Sequence, residues 1–237
     1  MGLLSVTDFL FPPEPPTGLA VQGKARLYPV RRIFCVGRNY AAHAAEMGNT
    51  VDREAPFYFT KSLNAVLSSG AELPYPPGTQ DLHHEVELAF ALGAPLFRVD
   101  RDAAAGAIYA YGVALDMTRR DLQAQAKDKR RPWDLSKDFE GSAVFASMQA
   151  AETFGEVGPQ KIWLDVNGVR RQEAALSDMI HDVAGIAAHL SGYYHLGPGD
   201  VILTGTPAGV GAVGPGDRLE GGIDGLEPVR LTISAPE

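Results

Sequence analysis

Short β-rich runs, each closed by a glycine or a polar turn, follow one another along this chain without the regular strand–helix–strand rhythm of a doubly wound sheet. Arg32-Ile33-Phe34-Cys35-Val36 stops at Gly37, and Phe57-Tyr58-Phe59-Thr60 reads as a second strand. From Glu85 to Leu92 the pattern alternates, with Glu85, Glu87 and Ala89 facing one way and Val86, Leu88 and Phe90 the other. Ile108 to Leu115 has the pattern of a buried strand and runs into Asp116. Ile162-Trp-Leu-Asp-Val166, Asn167-Gly168 and Val169-Arg-Arg give a hairpin signal. Val201 to Thr204 and Val229 to Ile233 complete the strands, with a glycine-rich loop over 205–225 between them.

Helical signals are few. Asn39 to Met47 gives a short helix ending at Gly48. Thr118-Arg-Arg-Asp121 resembles a cap opening a helix through Lys127. Ser177 caps a third, with Ile180, Val183, Ala187, Leu190 and Tyr194 on one stripe. The expectation is a β-rich α+β domain over residues 31–237. Pro12, Pro13, Pro15 and Pro16 forbid helix, so residues 1–30 are expected to form an extended, proline-rich arm against the body or a partner subunit.

Charge and cysteine content narrow the function classes. The net charge is −8 and the pI about 5.3, which argues against nucleic acid or an anionic membrane surface as partner. One cysteine excludes an internal disulfide and a cysteine-based metal cluster. The opening residues lack a basic leader, with Asp8 and Pro12 breaking their apolar run. The apolar stretch Ala103–Leu115 is shorter than the ~20 residues needed to cross a bilayer. A cytoplasmic protein is the expectation.

Three carboxylates carry the chemistry. Glu85 and Glu87 share one face of a strand, about 6.5–7 Å apart. They are either a solvated polar face or two ligands whose repulsion a hard divalent cation relieves. Asp116 ends a buried strand, where an unpaired carboxylate is costly. Three carboxylates without a thiol suit Mg²⁺ or Mn²⁺, with water or substrate oxygens completing the shell. His43 and Glu46 share a helix face and make either a surface ion pair or a general base held by its carboxylate. His83 and His84 read as loop histidines, and Cys35 as buried core. Gly209-Val-Gly211-Ala-Val-Gly214 matches a dinucleotide fingerprint, but Pro215-Gly216-Asp217 cannot open the helix that motif needs, so it reads as a turn cluster. Lys127-Asp-Lys-Arg-Arg131 is a solvated helix end or a guide for an anionic substrate.

Taken together and in order, five motifs resemble the fumarylacetoacetate hydrolase family over about residues 30 to 233. They are Val36-Gly-Arg-Asn-Tyr40 with His43 and Glu46; His84-Glu85-Val-Glu87-Leu; Leu115-Asp116-Met-Thr with Arg120-Asp121-Leu-Gln123; Lys137 with Phe139; and Ile202-Leu-Thr-Gly-Thr-Pro207 with Gly209-Val-Gly211. Within the family, Pro29-Val-Arg-Arg-Ile33 and Asp52-Arg-Glu are most similar to fumarylpyruvate hydrolases of gentisate breakdown. Acylpyruvase and oxaloacetate decarboxylase members are next. The resemblance implies a β-rich roll, usually a homodimer, with one Mg²⁺ or Mn²⁺ per subunit on Glu85, Glu87 and Asp116. It implies water activation by His43 and Glu46, and substrate contacts from Lys137, Gln123, Arg38, Arg120 and Thr206. The implied reaction is hydrolysis of a 2,4-dioxo acid at a carbon–carbon bond, Lys137 helping to hold the enolate. Oxaloacetate decarboxylation, hydroxymuconate-type isomerisation and non-catalytic carboxylate binding are the alternatives. Lys61-Ser62-Leu63-Asn64 and Val144-Phe-Ala-Ser-Met148 depart from the family pattern and are expected at the distal end of the substrate pocket.

Overall fold

The structure, a computed structural model, describes residues 9–48 and 53–237. Residues 1–8 of the expected arm, and Asp52 of the Asp52-Arg-Glu motif, lie outside the described residues. A curled eight-stranded sheet forms the centre. In space its order is Phe57–Lys61, Arg32–Gly37, Asp200–Leu203, Val86–Leu92, Ile108–Asp116, Ala143–Phe145 and Val66–Ser68, with Gln149–Ala150 also paired to Ile108–Asp116. A five-stranded sheet runs Val169–Ala175, Lys161–Val166, Arg218–Ile223, Val229–Ser234 and Glu72–Pro74. A small third sheet joins Thr118–Arg119, Leu82–His84 and Gly211–Val213. This is the β-rich fold that the sequence pattern predicts.

The strand Val86–Leu92 is buried on both faces, which removes the solvated polar face from the two alternatives for Glu85 and Glu87. Val86, Leu88, Phe90 and Leu92 join the larger core, with Ile162, Leu164, Leu219, Val229 and Leu231 of the five-stranded sheet. Each such side chain contributes about 1.5–3 kcal/mol by leaving water. Ala89 and Ala91 face a second core with Cys35, Ala110, Ala114 and Met148. Small side chains there let the segment around residues 18–30 lie close on the sheet. Leu19, Val21, Tyr28 and Val30 are buried in that layer, and the Tyr28 hydroxyl donates to Leu92 O at 2.7 Å. Pro12, Pro13, Pro15 and Pro16 are exposed, outside helix and strand.

Several local expectations give way to tertiary pairing. Thr118 caps nothing: it pairs with His83 in the small sheet, and the helix Arg120–Asp128 starts after Arg119 without a side-chain cap. Ser177 lies in the 3-10 turn Leu176–Asp178, and the helix is Val183–Ser191, capped by Asp182, whose Oδ1 accepts from Gly185 N at 2.8 Å. The Asn39 side chain holds the intervening strand-like segment, accepting from His181 N and donating to His181 O. Ile180 and Tyr194 thus fall outside the helix. The expected loop over 205–225 contains two strands, Gly211–Val213 and Arg218–Ile223. One of its glycines marks a close approach: a Cβ on Gly222 would stand 2.5 Å from the Trp163 ring. The hairpin at Asn167-Gly168 forms as expected, both residues having positive φ.

Candidate active site

Strand register brings the three carboxylates together. In the antiparallel pair, Val86 lies opposite Leu115 and Glu87 opposite Ala114, and Asp116 N donates to Glu85 O at 2.9 Å. Asp116 therefore faces Glu85 across the ladder. Residues directly opposite point to the same face, as do residues two apart on one strand. Glu85, Glu87 and Asp116 consequently share that face, with one ligand oxygen from each lying within 4.8 Å of the others. All three are buried.

Three buried cations answer them. Lys137 Nζ donates to Glu85 Oε2 at 2.8 Å, Asp116 Oδ2 at 2.6 Å and Thr118 Oγ1 at 2.8 Å. Arg120 donates to the other Glu85 oxygen and to Gln123 Oε1. Lys61 Nζ lies 2.9 Å from Asp116 Oδ1, but off the direction a hydrogen bond requires, so that oxygen has no hydrogen-bond partner. Burial would raise both glutamates. For Glu85, Lys137 and Arg120 outweigh burial and hold the carboxyl well below its usual range. For Glu87, Asp116 and Glu85 add to burial and push the carboxyl well up, against the Gly205 amide that donates to its Oε2 at 2.6 Å. A carboxyl driven toward its neutral form by burial and two like charges, beside an acid oxygen without a hydrogen bond, fits a divalent cation.

The helix Ala41–Glu46 carries the second group over this hollow. His43 Nδ1 is 3.4 Å from Glu46 Oε2, and both Glu46 oxygens accept from Gly209 N at 3.1 Å. Burial lowers the His43 pKa below 6.5, against Glu85 and Glu46, which raise it. The ring is thus mostly neutral at pH 7, as a base requires. Gly209 has φ +94°, and a Cβ there would stand 1.9 Å from Arg171 O. The glycine cluster thus seats Glu46 and forms a strand edge.

A hollow of about 30 Å³ is lined by Arg38, His43, Glu85, Glu87, Arg120, Gln123, Lys137 and Thr206; Asp116 is joined to it through Lys137, and Glu46 through His43. Every site residue expected from the sequence is therefore in or beside one pocket. His83 and His84 are not ligands here: they bond to Asp81 and Gln172. The two departing segments do not line the pocket. Lys61 is buried under Asp116, and Val144–Ala146 and Met148 are core. The sequence patterns assign no site role to Lys61, Thr118, Gly205 or Gly209, each of which touches a site residue here. Phe57, Phe59 and Lys61 occupy one alternating face, a signal for the first of these.

Residues 32–234 match the family model for the fumarylacetoacetate (FAA) hydrolase C-terminal domain. The chain belongs to the fumarylacetoacetate hydrolase family. It is 47% identical over 194 residues to a fumarylpyruvate hydrolase of Ralstonia sp., covering 81% of this chain and 100% of the relative. It is 41% identical over 205 residues to the oxaloacetate tautomerase YcgM of Escherichia coli, covering 86% and 93%. The crystal structure of fumarylpyruvate hydrolase from Pseudomonas aeruginosa, in complex with Mn²⁺ and pyruvate, superposes with TM-score 0.92 at 41% identity, covering 96% of this chain and 100% of that one. Among the described residues no helix is long and apolar enough to cross a membrane.

Proposed function

We propose that this family member is a divalent-metal-dependent hydrolase of 2,4-dioxo acids, with fumarylpyruvate as substrate and fumarate and pyruvate as products. The observation that carries the reading is the convergence of Glu85, Glu87 and Asp116 with Lys137 among them and the His43–Glu46 pair above. The solved Pseudomonas relative with Mn²⁺ and pyruvate supports it. Glu85, Glu87 and Asp116 would hold Mg²⁺ or Mn²⁺, one per subunit, which when bound supplies Lewis-acid polarisation of the 2-oxo group and charge for an enolate.

This chain's own groups do the rest. Glu46 holds the Nδ1 proton of His43, leaving Nε2 to take a proton from water as the oxygen adds to the C4 carbonyl. When the C3–C4 bond breaks, its electron pair passes to the pyruvate fragment, and the His43 proton returns to C3. Lys137 places an ammonium beside the developing enolate oxygen, where burial makes a fixed charge more effective than in water. Arg120, Gln123 and Thr206 position the pyruvate end, and Arg38 the acyl end. We read residues 31–237 as the catalytic domain of a homodimer, with the proline-rich segment before it as an arm.

The Escherichia coli relative favours a second reading, tautomerisation of oxaloacetate on the same carboxylates without water attack. A panel of fumarylpyruvate, acetylpyruvate and oxaloacetate, assayed with Mg²⁺, Mn²⁺ or chelator, decides. Metal-dependent release of pyruvate from the acylpyruvates is expected. Enol–keto exchange of oxaloacetate without cleavage of either acylpyruvate would replace hydrolysis by the second reading, and metal-dependent ligand binding without turnover would leave only a carboxylate-binding protein.

A further inference from the structure

The inner hollow, at about 30 Å³, has room for one or two waters and not for a whole acylpyruvate. It opens onto a cleft of about 900 Å³. Arg38 and Lys127 line both spaces and so stand at the neck between them. Neither makes an ion pair among the described residues. Lys137 also lines both spaces, but it is committed to Glu85 and Asp116, as Arg120 of the hollow is to Glu85 and Gln123.

Both neck cations are held in place. Arg38 sits in the left-handed region at φ 61°, a conformation that costs a non-glycine residue energy, and its buried Nε has no hydrogen-bond partner. Its guanidinium lies 6.0 Å from the Phe57 ring centroid, and Lys127 Nζ lies 5.1 Å from that of Trp133. Phe57 and Trp133 meet edge-on at 5.0 Å. The two cations are therefore braced on one aromatic pair. A Cβ at Gly37 would stand 2.6 Å from the Phe57 ring, so this glycine gives the wall its place. The other basic and carboxylate side chains lining the outer cleft are Arg130, Arg131, Asp134, His181 and, at its inner end, Lys137, so arginine and lysine outnumber the one carboxylate. Burial, with Arg120 and Arg38 nearby, pushes the Lys127 ammonium down to about 8, against Glu85.

We propose that Arg38 and Lys127 form a receptor for a second carboxylate, at the acyl end of the substrate, with Phe57 and Trp133 flanking the flat chain that leads to it. The proposal rests on the dioxo-acid reading for its orientation: the pyruvate end lies inward on the carboxylates, so the acyl end passes the neck. It makes a conjugated, terminally anionic acyl group the preferred one and distinguishes this site from one built for short or uncharged acyl groups.

Two measurements test it. The first is the ratio of kcat/KM for fumarylpyruvate to that for acetylpyruvate, which lacks the second carboxylate. Lys127→Met and Arg38→Met should each lower this ratio about 10–100-fold, the worth of one hydrogen bond to a charged group. Lys127→Arg should restore much of it. The second needs no turnover: calorimetry of fumarate against crotonate, its monocarboxylate analogue, on the Mn²⁺-loaded protein. Wild type should bind fumarate more tightly, and Lys127→Met should erase the difference. Hydrolysis with no change of either preference in the variants overturns the receptor while leaving the hydrolase reading intact. A fumarate preference that depends on Lys127, without hydrolysis of any acylpyruvate, upholds the receptor and overturns the hydrolase reading.

Discussion

Two opposed effects set His43, the base of the proposed mechanism. Burial disfavours the imidazolium, while Glu85 and Glu46 favour it, and burial wins, so the pKa falls below 6.5. As pH drops through that lowered value, the ring gains a proton and the base is lost. The acid limb of kcat/KM should therefore have its midpoint below 6.5, with the plateau above it. Glu46→Gln removes a group that raises the pKa, so the limb should move further to acid. The plateau should also fall, within the roughly 10²–10⁴-fold that general-base catalysis supplies, because the ring is a weaker base and less firmly held. A Glu46 that served only to seat the helix would lower the plateau without moving the limb. pH–rate profiles of the two proteins decide between these roles.

Among the elements, the helix Ala41–Glu46 and the turn at Gly209 depend on each other. Gly209 donates its amide to Glu46, adopts φ +94° and has backbone oxygen where a Cβ would go. Gly209→Ala must shift the turn or the strand Val169–Ala175, at a cost of about 1–3 kcal/mol. Urea unfolding should show that loss, and kcat should fall more than metal affinity does, since the carboxylates lie on other strands. This coupling joins residues 163 positions apart and had no local signal in the sequence. The motif Gly209-Val-Gly211 was visible; that its first glycine serves Glu46 was not. The same distinction holds elsewhere. The alternation from Glu85 to Leu92 and the apolar run to Asp116 were legible because period two is a local property. The opposition of Glu85 and Asp116 is a matter of register, set by how the chain turns through the helix Arg101–Gly106 between their strands. Thr118 and Ser177 carried good capping chemistry, yet ladder pairing with His83 and the clamp from Asn39 decided those segments. Local propensity yields where a buried pairing is at stake.

For the molecule as a whole, the buried charges set what metal removal does. Glu85, Glu87 and Asp116 face Lys61, Lys137 and Arg120, three charges of each sign when all are ionised. A divalent cation and a dianionic substrate add charges that cancel, so the loaded site would be as balanced as the protein alone, which suits a substrate with two carboxylates. The two large apolar cores, drawn from both faces of the central sheet, also do not depend on these three carboxylates. The protein should thus stay folded in chelator, unlike small domains whose metal is their core. Metal binding to the folded state alone should then add about 2.7 kcal/mol at 100 times Kd. For a chain of this length that is about 5–10 °C in Tm. Differential scanning calorimetry in chelator and in Mn²⁺ should show one cooperative transition in both, shifted upward by the metal. Glu87→Ala removes one of the proposed ligands, a carboxyl that burial and two like charges already push toward neutrality, so it should lose the Mn²⁺ shift and the metal-dependent activity while still unfolding cooperatively. A wild-type protein that melts identically with and without Mn²⁺, or a variant that keeps the shift, would place the ion somewhere other than among these three acids.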